Sequence, residues 1–291
     1  MEGVNICSCS VRELGSSQKL IFISRYVKLL QDGEEDRMLF TDYISQNQTF
    51  TTAGMLDVVG NEPSVRVALS RAVKAGRVLK VRTGLYVSQS GRFQGVKADP
   101  HLVAATLFPD ATFVYHSALE LHGLAHATSS LVQYMCNNPP ASFSFQGVVY
   151  KGLTARPDTV AEAVTSRAFG TVKVTTREQT LVDCMARVGL AGGLEEVVRS
   201  FAGLPYADVN AIMLCLRAYP PSVAARVGWY LDGNQKRWSV ADNMLAAIEQ
   251  TLPARASYKL DPTYRQFEGY AARWHLNLPA RAEEIRKWME L

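Results

Sequence analysis

The stretch from Pro63 to Val87 constrains the fold most, because an amphipathic helix is followed there by a short basic hairpin. Asn61 can cap the helix and Pro63 suits its first turn, where a missing N–H costs nothing. Gly76 is expected to end the helix. Apolar residues recur at helical spacing and should face a core. These expected core positions are Val65, Ala68, Leu69, Ala72 and Val73.

A hairpin and an upstream helix complete the pattern. Two β-prone runs flank Thr83-Gly84, which is a turn signal. Upstream, Thr51 or Thr52 can cap a short helix that Gly60 closes, and its free N–H groups can take a phosphate. A capped helix, a glycine turn, an amphipathic helix and a basic hairpin, in this order, predict a winged helix-turn-helix. Some winged helices bind only proteins, and that alternative stays open.

The charge distribution favours a nucleic-acid partner. From Pro63 to Ala98 there are eight Lys or Arg residues and no Asp or Glu. The whole chain has a formal charge of +4, so the remainder carries about 4 − 8 = −4. A basic segment on an otherwise mildly acidic protein is typical of a surface that faces phosphates.

The candidate DNA-binding residues follow from this pattern. Arg66 and Arg71 are expected to reach base edges, because arginine can bind guanine through two hydrogen bonds. Lys74 and Lys80 are expected to contact phosphates, and the wing tip to reach a phosphate or a minor groove. The full candidate set is Thr51, Thr52, Ser64, Arg66, Ser70, Arg71, Lys74, Lys80, Arg82 and Thr83.

The length of 291 residues suits two domains. We expect a disordered tail over 1–18, a winged helix-turn-helix domain over 19–90, a linker over 91–98, and a larger domain over 99–291. In the larger domain, Leu131–Cys136, Phe143–Lys151 and Thr171–Thr175 are predicted strands, and from Thr176 the chain turns helical. The predicted class is α+β, with a small sheet and several helices in the second domain.

Composition excludes several classes of protein. No apolar run reaches the ~20 residues that span a bilayer, so no membrane partner is expected. We expect no signal peptide, since Glu2 and Glu13 occur without a long apolar segment. Five scattered cysteines suit a reducing compartment, and a cytoplasmic location is expected.

A search for catalytic motifs predicts no enzyme and no cofactor. The chain lacks a P-loop, a G-x-S-x-G and an H-E-x-x-H motif. His116, His122 and His126 form a possible metal set with Cys136 and Asp183. Since glycine interrupts the helical pattern at position 123, capping or core hydrogen bonding is the favoured interpretation, and no metal is expected.

The segment after the TVKVT strand offers further polar candidates. Thr176 is expected to cap a helix, with Glu178 in its first turn and Leu181 and Val182 in the core. Asp183 either lies at the surface or pairs with a nearby arginine. The polar candidates of the second domain are His116, Arg177, Glu178 and Asp183.

Three segments together resemble the AbiE-type antitoxins, the regulator halves of type IV toxin–antitoxin and abortive-infection systems that act in phage defence. The wing sequence Arg82–Tyr86 is shared with many regulators, whereas Tyr115–Gly123 (YHSALELHG) and Thr176–Asp183 (TREQTLVD) are more specific. The resemblance covers most of the chain from about residue 19.

The resemblance implies a transcriptional repressor that binds inverted repeats in its own promoter. It also implies a second domain that neutralises a nucleotidyltransferase-like toxin, without the need for a stable complex. Two alternatives remain: a winged-helix factor whose second domain binds a ligand or protein, and, less favoured, an enzyme that acts on the toxin or its target.

Overall fold

The computed structural model describes residues 34–166 and 170–290. These residues divide into two compact units, with the boundary between Ala98 and Asp99. Helices and small sheets occur together in the chain, which confirms the α+β class. The predicted tail, 1–18, lies outside the described residues. None of the helices in the described ranges has the length and apolarity that crossing a bilayer requires.

The described part of the first unit, residues 34–98, combines three α-helices with a small antiparallel sheet. The strand order is β1-β3-β2, so the first strand pairs with the last strand of the hairpin. Its elements are α1 (34–46), β1 (Thr49–Thr51), α2 (Thr52–Val59), α3 (Glu62–Lys74), β2 (Val78–Arg82) and β3 (Leu85–Ser88).

The predicted caps and turns of the first unit are confirmed. The Thr51 side chain accepts a hydrogen bond from the Gly54 N–H at 3.0 Å, and the Asn61 side chain accepts one from Ser64 at 3.2 Å. Gly60 and Gly84 have φ values of 76° and 81°, in the left-handed region that glycine adopts without strain. These local signals therefore set where α2 and α3 begin and where the hairpin turns.

The core of the first unit lies under α3. Val65, Leu69 and Ala72 are buried against Phe50 and its neighbours from α1 and α2. The prediction for Val73 is wrong, because its side chain is 37% exposed. The buried stripe is narrower than the run of apolar residues suggested.

The predicted linker, 91–98, is partly structured. Gly91–Phe93 forms a single 3-10 turn in which Phe93 is buried. The Gln89 side chain accepts a hydrogen bond from the Gly95 N–H and donates one to the Val96 carbonyl. The glycines and serines of residues 88–95 suggested a linker, but side-chain hydrogen bonds hold this segment on the first unit.

The second unit is built on a six-stranded mixed sheet with the order β6-β7-β5-β4-β9-β8. The pairs β5–β7 and β4–β9 are parallel, and the others are antiparallel. The strands are β4 (Thr112–Phe113), β5 (Leu131–Cys136), β6 (Phe143–Phe145), β7 (Val148–Thr154), β8 (Ala161–Ser166) and β9 (Gly170–Thr175).

Two features of this sheet differ from the sequence prediction. Phe143–Lys151 was expected to be one strand, but Gln146 and Gly147 have φ values of 50° and 85° and reverse the chain between β6 and β7. β8 was not predicted, because its sequence AEAVTS has weak β-propensity. Pairing with β9 along its whole length stabilises it instead.

Helices and a second small sheet surround a large apolar core in this unit. The small sheet has the order β10-β12-β11, with strands Tyr258–Lys259, Leu276–Leu278 and Gly269–Ala271. The helices are α4 (Pro100–Leu107), α5 (Tyr115–Leu121), α6 (Arg177–Ala186), α7 (Leu194–Ala202), α8 (Val209–Leu216), α9 (Pro221–Gly233), α10 (Asp242–Glu249) and α11 (Ala282–Lys287).

Close packing at Gly228 of α9 gives a stability prediction. A Cβ at this position would lie 2.3 Å from the Trp274 ring, which is fully buried. We expect Gly228→Ala to lower the free energy of unfolding of the second unit by about 1–3 kcal/mol, because the core is overpacked. The chain's four tryptophans (Trp229, Trp238, Trp274 and Trp288) all lie in this unit, so tryptophan fluorescence in urea measures it selectively.

Gly203→Ala is the matched control. The nearest heavy atom to a Cβ there is the Ser200 carbonyl oxygen at 3.6 Å, an ordinary contact, and φ is −72°. This control should change the free energy of unfolding by less than about 1 kcal/mol. Equal effects of the two substitutions would contradict the packing described around Trp274.

Candidate functional site

α3 carries half of the predicted DNA-binding residues. Arg66, Ser70, Arg71 and Lys74 are exposed, and Ser64 is half-buried. Within the described ranges, no hydrogen bond or ion pair engages the side chain of Arg71 or Lys74. These two cations are therefore available to an external anion.

Arg66 differs from the other cations of α3. Its Nη2 lies 2.8 Å from Oε1 of Glu62, four residues earlier, and the two side chains are 75% and 56% exposed. Exposed pairs of this kind contribute only about 0.3–0.5 kcal/mol, so the pair can be exchanged for another partner. Glu62 also places one acidic residue in the first turn of an otherwise basic helix.

The β2–β3 hairpin presents the second part of the candidate surface. Lys80 is exposed on β2, where it pairs with Tyr86 of β3, and Thr83 is exposed at the turn. Arg82 is half-buried and follows an irregularity in the strand register between residues 80 and 82. The hairpin therefore points two predicted contact residues toward solvent and holds Arg82 closer to the unit.

The start of α2 is less available to a phosphate than the sequence suggested. The Thr52 N–H donates to the Gly84 carbonyl at 3.0 Å, and the Gly54 N–H donates to the Thr51 hydroxyl. Two N–H groups of the first turn are thus used within the unit. The contact with Gly84 also fixes the hairpin turn beside α2, and both threonine side chains are half-buried.

A buried polar cluster lies around Asp183 in the second unit. Asp183 is fully buried on α6 and pairs with Arg156, which follows β7, at 2.5 Å. The Tyr219 hydroxyl donates to the same Asp183 oxygen and accepts hydrogen bonds from Arg156 and from Gln179. Asp183 is therefore paired with an arginine, as one of the two sequence-based alternatives proposed, and does not lie at the surface.

Burial and the charge of Asp183 keep Tyr219 and Tyr115 neutral. Burial raises the pKa of Tyr219, and the Asp183 charge raises it further. Burial and Asp183 likewise raise the pKa of Tyr115, against the opposing effects of Arg156 and Arg187. Burial lowers the pKa of Arg156, but Asp183, Tyr219 and Tyr115 together outweigh this effect and the pKa is raised on balance.

This arrangement fits a structural role better than a catalytic one. A neutral tyrosine hydroxyl has one proton to donate and two lone pairs. Tyr219 uses all three, with Asp183, Arg156 and Gln179. It has no hydrogen-bonding capacity left for a substrate.

The His116 candidate lies in a different cluster. His116 is buried, and its Nε2 lies 3.3 Å from Oε1 of Glu196 on α7. The same glutamate accepts hydrogen bonds from the backbone N–H groups of His126 and Ala127. His116 therefore belongs to a set of contacts that joins α5, α7 and the loop after α5.

The three histidines do not converge on one point. Whereas His116 faces Glu196, the His122 Nε2 lies 2.7 Å from the Thr175 carbonyl oxygen, and His126 is exposed. Across residues 34–166 and 170–290, no three His, Cys, Asp or Glu side chains are grouped so as to hold a metal ion.

Arg177 and Glu178 lie apart from both buried clusters. With His122 and Glu162 they line a shallow depression of about 460 Å³. Arg177 is exposed, and Glu178 accepts a hydrogen bond from the Asp208 N–H at 3.3 Å. The four polar candidates of the second unit thus do not form one site.

Sequence reasoning missed Arg156, Tyr219 and Glu196 as partners of these clusters. Tyr219 lies 36 residues from Asp183 and 63 from Arg156, and Glu196 lies 70 residues from His126. None of the three belongs to a local motif. Only the packing of distant elements brings them together.

The cluster gives a second stability prediction. Tyr219→Phe removes the hydroxyl shared by Arg156, Gln179 and Asp183, so we expect the free energy of unfolding of the second unit to fall by about 1–3 kcal/mol. Tyr206→Phe is the control, because Tyr206 is 67% exposed and should shift stability by less than about 0.5 kcal/mol. Tryptophan fluorescence in urea measures the free energy of unfolding of both variants. An unchanged free energy of unfolding for Tyr219→Phe would contradict the hydrogen bonds described for its hydroxyl.

Comparison with known proteins gives a structural likeness. No protein-family model matches the chain, and no curated protein matches its sequence. The fold is similar to the crystal structure of the Rv2827c protein from Mycobacterium tuberculosis, with a TM-score of 0.62 and 12% identity. The match covers 84% of this chain and 92% of that protein. At this level of identity, the likeness extends to the fold alone.

Proposed function

We propose that the first unit is a winged helix-turn-helix that binds double-stranded DNA, and that the protein is a transcriptional regulator. The observation that carries the proposal is the pairing of α3 with the β2–β3 hairpin. α3 displays exposed cations on the side away from the buried Val65, Leu69 and Ala72, and the hairpin carries the exposed Lys80. A helix of this kind fits the major groove of B-DNA, and the hairpin acts as the wing.

Charge supports the same partner. Of the eight cations between Pro63 and Ala98, seven are exposed and Arg82 is half-buried. Phosphate contacts supply the affinity that does not depend on sequence, and they make binding sensitive to salt. Arg71, Lys74 and Lys80 have the exposure that such contacts need.

Regulation of its own promoter follows from the resemblance to AbiE-type antitoxins. Two copies on an inverted repeat would match the two-fold symmetry of such an operator. We place the base and phosphate contacts on α3 and the hairpin, and give Thr51 and Thr52 a minor role because α2 has few free N–H groups.

The salt dependence of binding tests this proposal. Lys80→Ala should weaken binding to every DNA sequence alike and reduce the slope of log affinity against log salt by about 0.9. The full-length protein is titrated by fluorescence anisotropy with promoter DNA and with unrelated DNA. Lys236→Ala is the control, since Lys236 is an exposed lysine of the second unit. An unchanged slope for Lys80→Ala would contradict a phosphate contact there.

We further propose that the second unit is the antitoxin part of a type IV pair and opposes a nucleotidyltransferase-like toxin. Support comes from the resemblance of Tyr115–Gly123 and Thr176–Asp183 to these antitoxins. The alternatives are a second unit that binds a ligand or another protein without any toxin, and an enzyme that acts on the toxin or its target.

Growth rescue separates these possibilities. The full chain and a neighbouring toxin gene are expressed from independent promoters. A Lys74→Ala/Lys80→Ala variant with weakened DNA binding should still restore growth, because the second unit is unchanged. Failure of the wild type to rescue would contradict the antitoxin proposal. If Arg177→Ala or Glu178→Ala abolished rescue without altering the tryptophan melt, the enzyme alternative would gain support.

A further inference from the structure

The face of α3 opposite its buried stripe is unusual in composition. Residues advance by about 100° around a helix, so positions 63, 67, 70 and 74 lie opposite the buried Val65, Leu69 and Ala72. All four are exposed, with Val67 at 48%. The outermost stripe, defined here as Pro63, Val67, Ser70 and Lys74, therefore carries small uncharged side chains except at its C-terminal end.

The two arginines of α3 lie on opposite flanks of this stripe. Arg66 and Arg71 are five residues apart, which separates them by about 140° around the helix axis. Arg66 lies on the flank of Glu62, to which it is paired. Arg71 lies on the other flank, where it lines a groove of about 460 Å³ with Asp36, Arg37 and Thr41 of α1. Pro63 and Val67 line the same groove.

The dimensions of the DNA major groove indicate which side chains of α3 would face the bases and which would face the phosphates. The major groove is about 12 Å wide, and a helix with its side chains is about 10–12 Å across. The outermost stripe therefore points at the base edges on the groove floor, while the flanks face the walls, where the phosphates lie. Long cations on both flanks and small uncharged side chains in the centre complement such a groove.

We propose that Val67 contacts the C5-methyl group of thymine and that Ser70 lies beside it at the base edges, so that the operator carries thymine under the centre of α3. Arg66 and Arg71 then contact the phosphates of the groove walls, in place of the guanine contacts expected from sequence. This inference rests on the proposed DNA-binding function and names the base chemistry that the helix reads. Among the bases of unmodified DNA, thymine alone presents a methyl group in the major groove.

The size of the effect follows from apolar burial. A methyl group packed against Val67 leaves water on binding, and the burial of one such group changes affinity by about fourfold. An isolated exposed valine on a surface is ordinary. Val67 is informative because it lies in the middle of a stripe that Arg66 and Arg71 flank, with Arg66 paired to Glu62.

Replacement of thymine by uracil tests the proposal directly, because it removes only the methyl group. A tight-binding duplex is first selected with the full-length protein, and each thymine is then replaced singly by deoxyuridine. At one position per half-site, affinity for the wild type should fall about fourfold by fluorescence anisotropy. Val67→Ala should remove this difference between thymine and uracil.

Two matched variants make the outcome specific. Val73→Ala changes a valine of the same helix that is 37% exposed but lies off the outermost stripe, so it should keep the uracil penalty. Lys80→Ala should weaken binding to the thymine duplex and to the uracil duplex equally. The inference would be overturned, although DNA binding would stand, by either of two results. Uracil could leave the affinity unchanged at every position, or the loss of affinity could persist in Val67→Ala. If the wild type selected no duplex, the proposed function would fail instead.

Discussion

The burial of Val65, Leu69 and Ala72 beneath α3 fixes the direction in which the rest of that helix points. These side chains are at most 5% exposed, and burial of a single valine or leucine contributes about 1.5–3 kcal/mol. Side chains leave a helix at fixed angles. Burial of the inner face therefore also fixes the directions of the side chains on the opposite face. The cations of α3 are directed outward by the apolar residues beneath them, and the proposed DNA contacts depend on this constraint.

The two units use polar side chains in opposite ways. In the first unit, exposed cations such as Arg71 and Lys74 have no partner among the described residues, which suits a surface that binds an external polyanion. In the second unit, Asp183 is fully buried, and Arg156 and Tyr219 are committed to it. Removing one partner of a buried charge is costly, so these residues hold α6 against the loop after β7. Variants that test binding should therefore change the first unit. Variants that test stability should change the residues around Asp183 in the second unit.

Local signals were predictable from sequence, and contacts between distant segments were not. The caps at Thr51 and Asn61 and the turn at Gly84 depend on a few adjacent residues, and the structure contains them as predicted. The hairpin hidden in Phe143–Lys151 was missed because Gln146-Gly147 is a weak turn signal within a β-prone run. The Asp183 cluster could not be predicted from sequence, because its members come from elements that only the tertiary fold brings together.

Hydrogen–deuterium exchange of the full chain, with and without a selected DNA duplex, tests the central claim most directly. If the outward face of α3 and the hairpin form the binding surface, backbone amides of Glu62–Lys74 and Val78–Ser88 should exchange more slowly in the complex. Amides of the second unit around Arg177–Ala186 should be unaffected. Protection confined to the second unit, with exchange in α3 and the hairpin unchanged, would contradict the account.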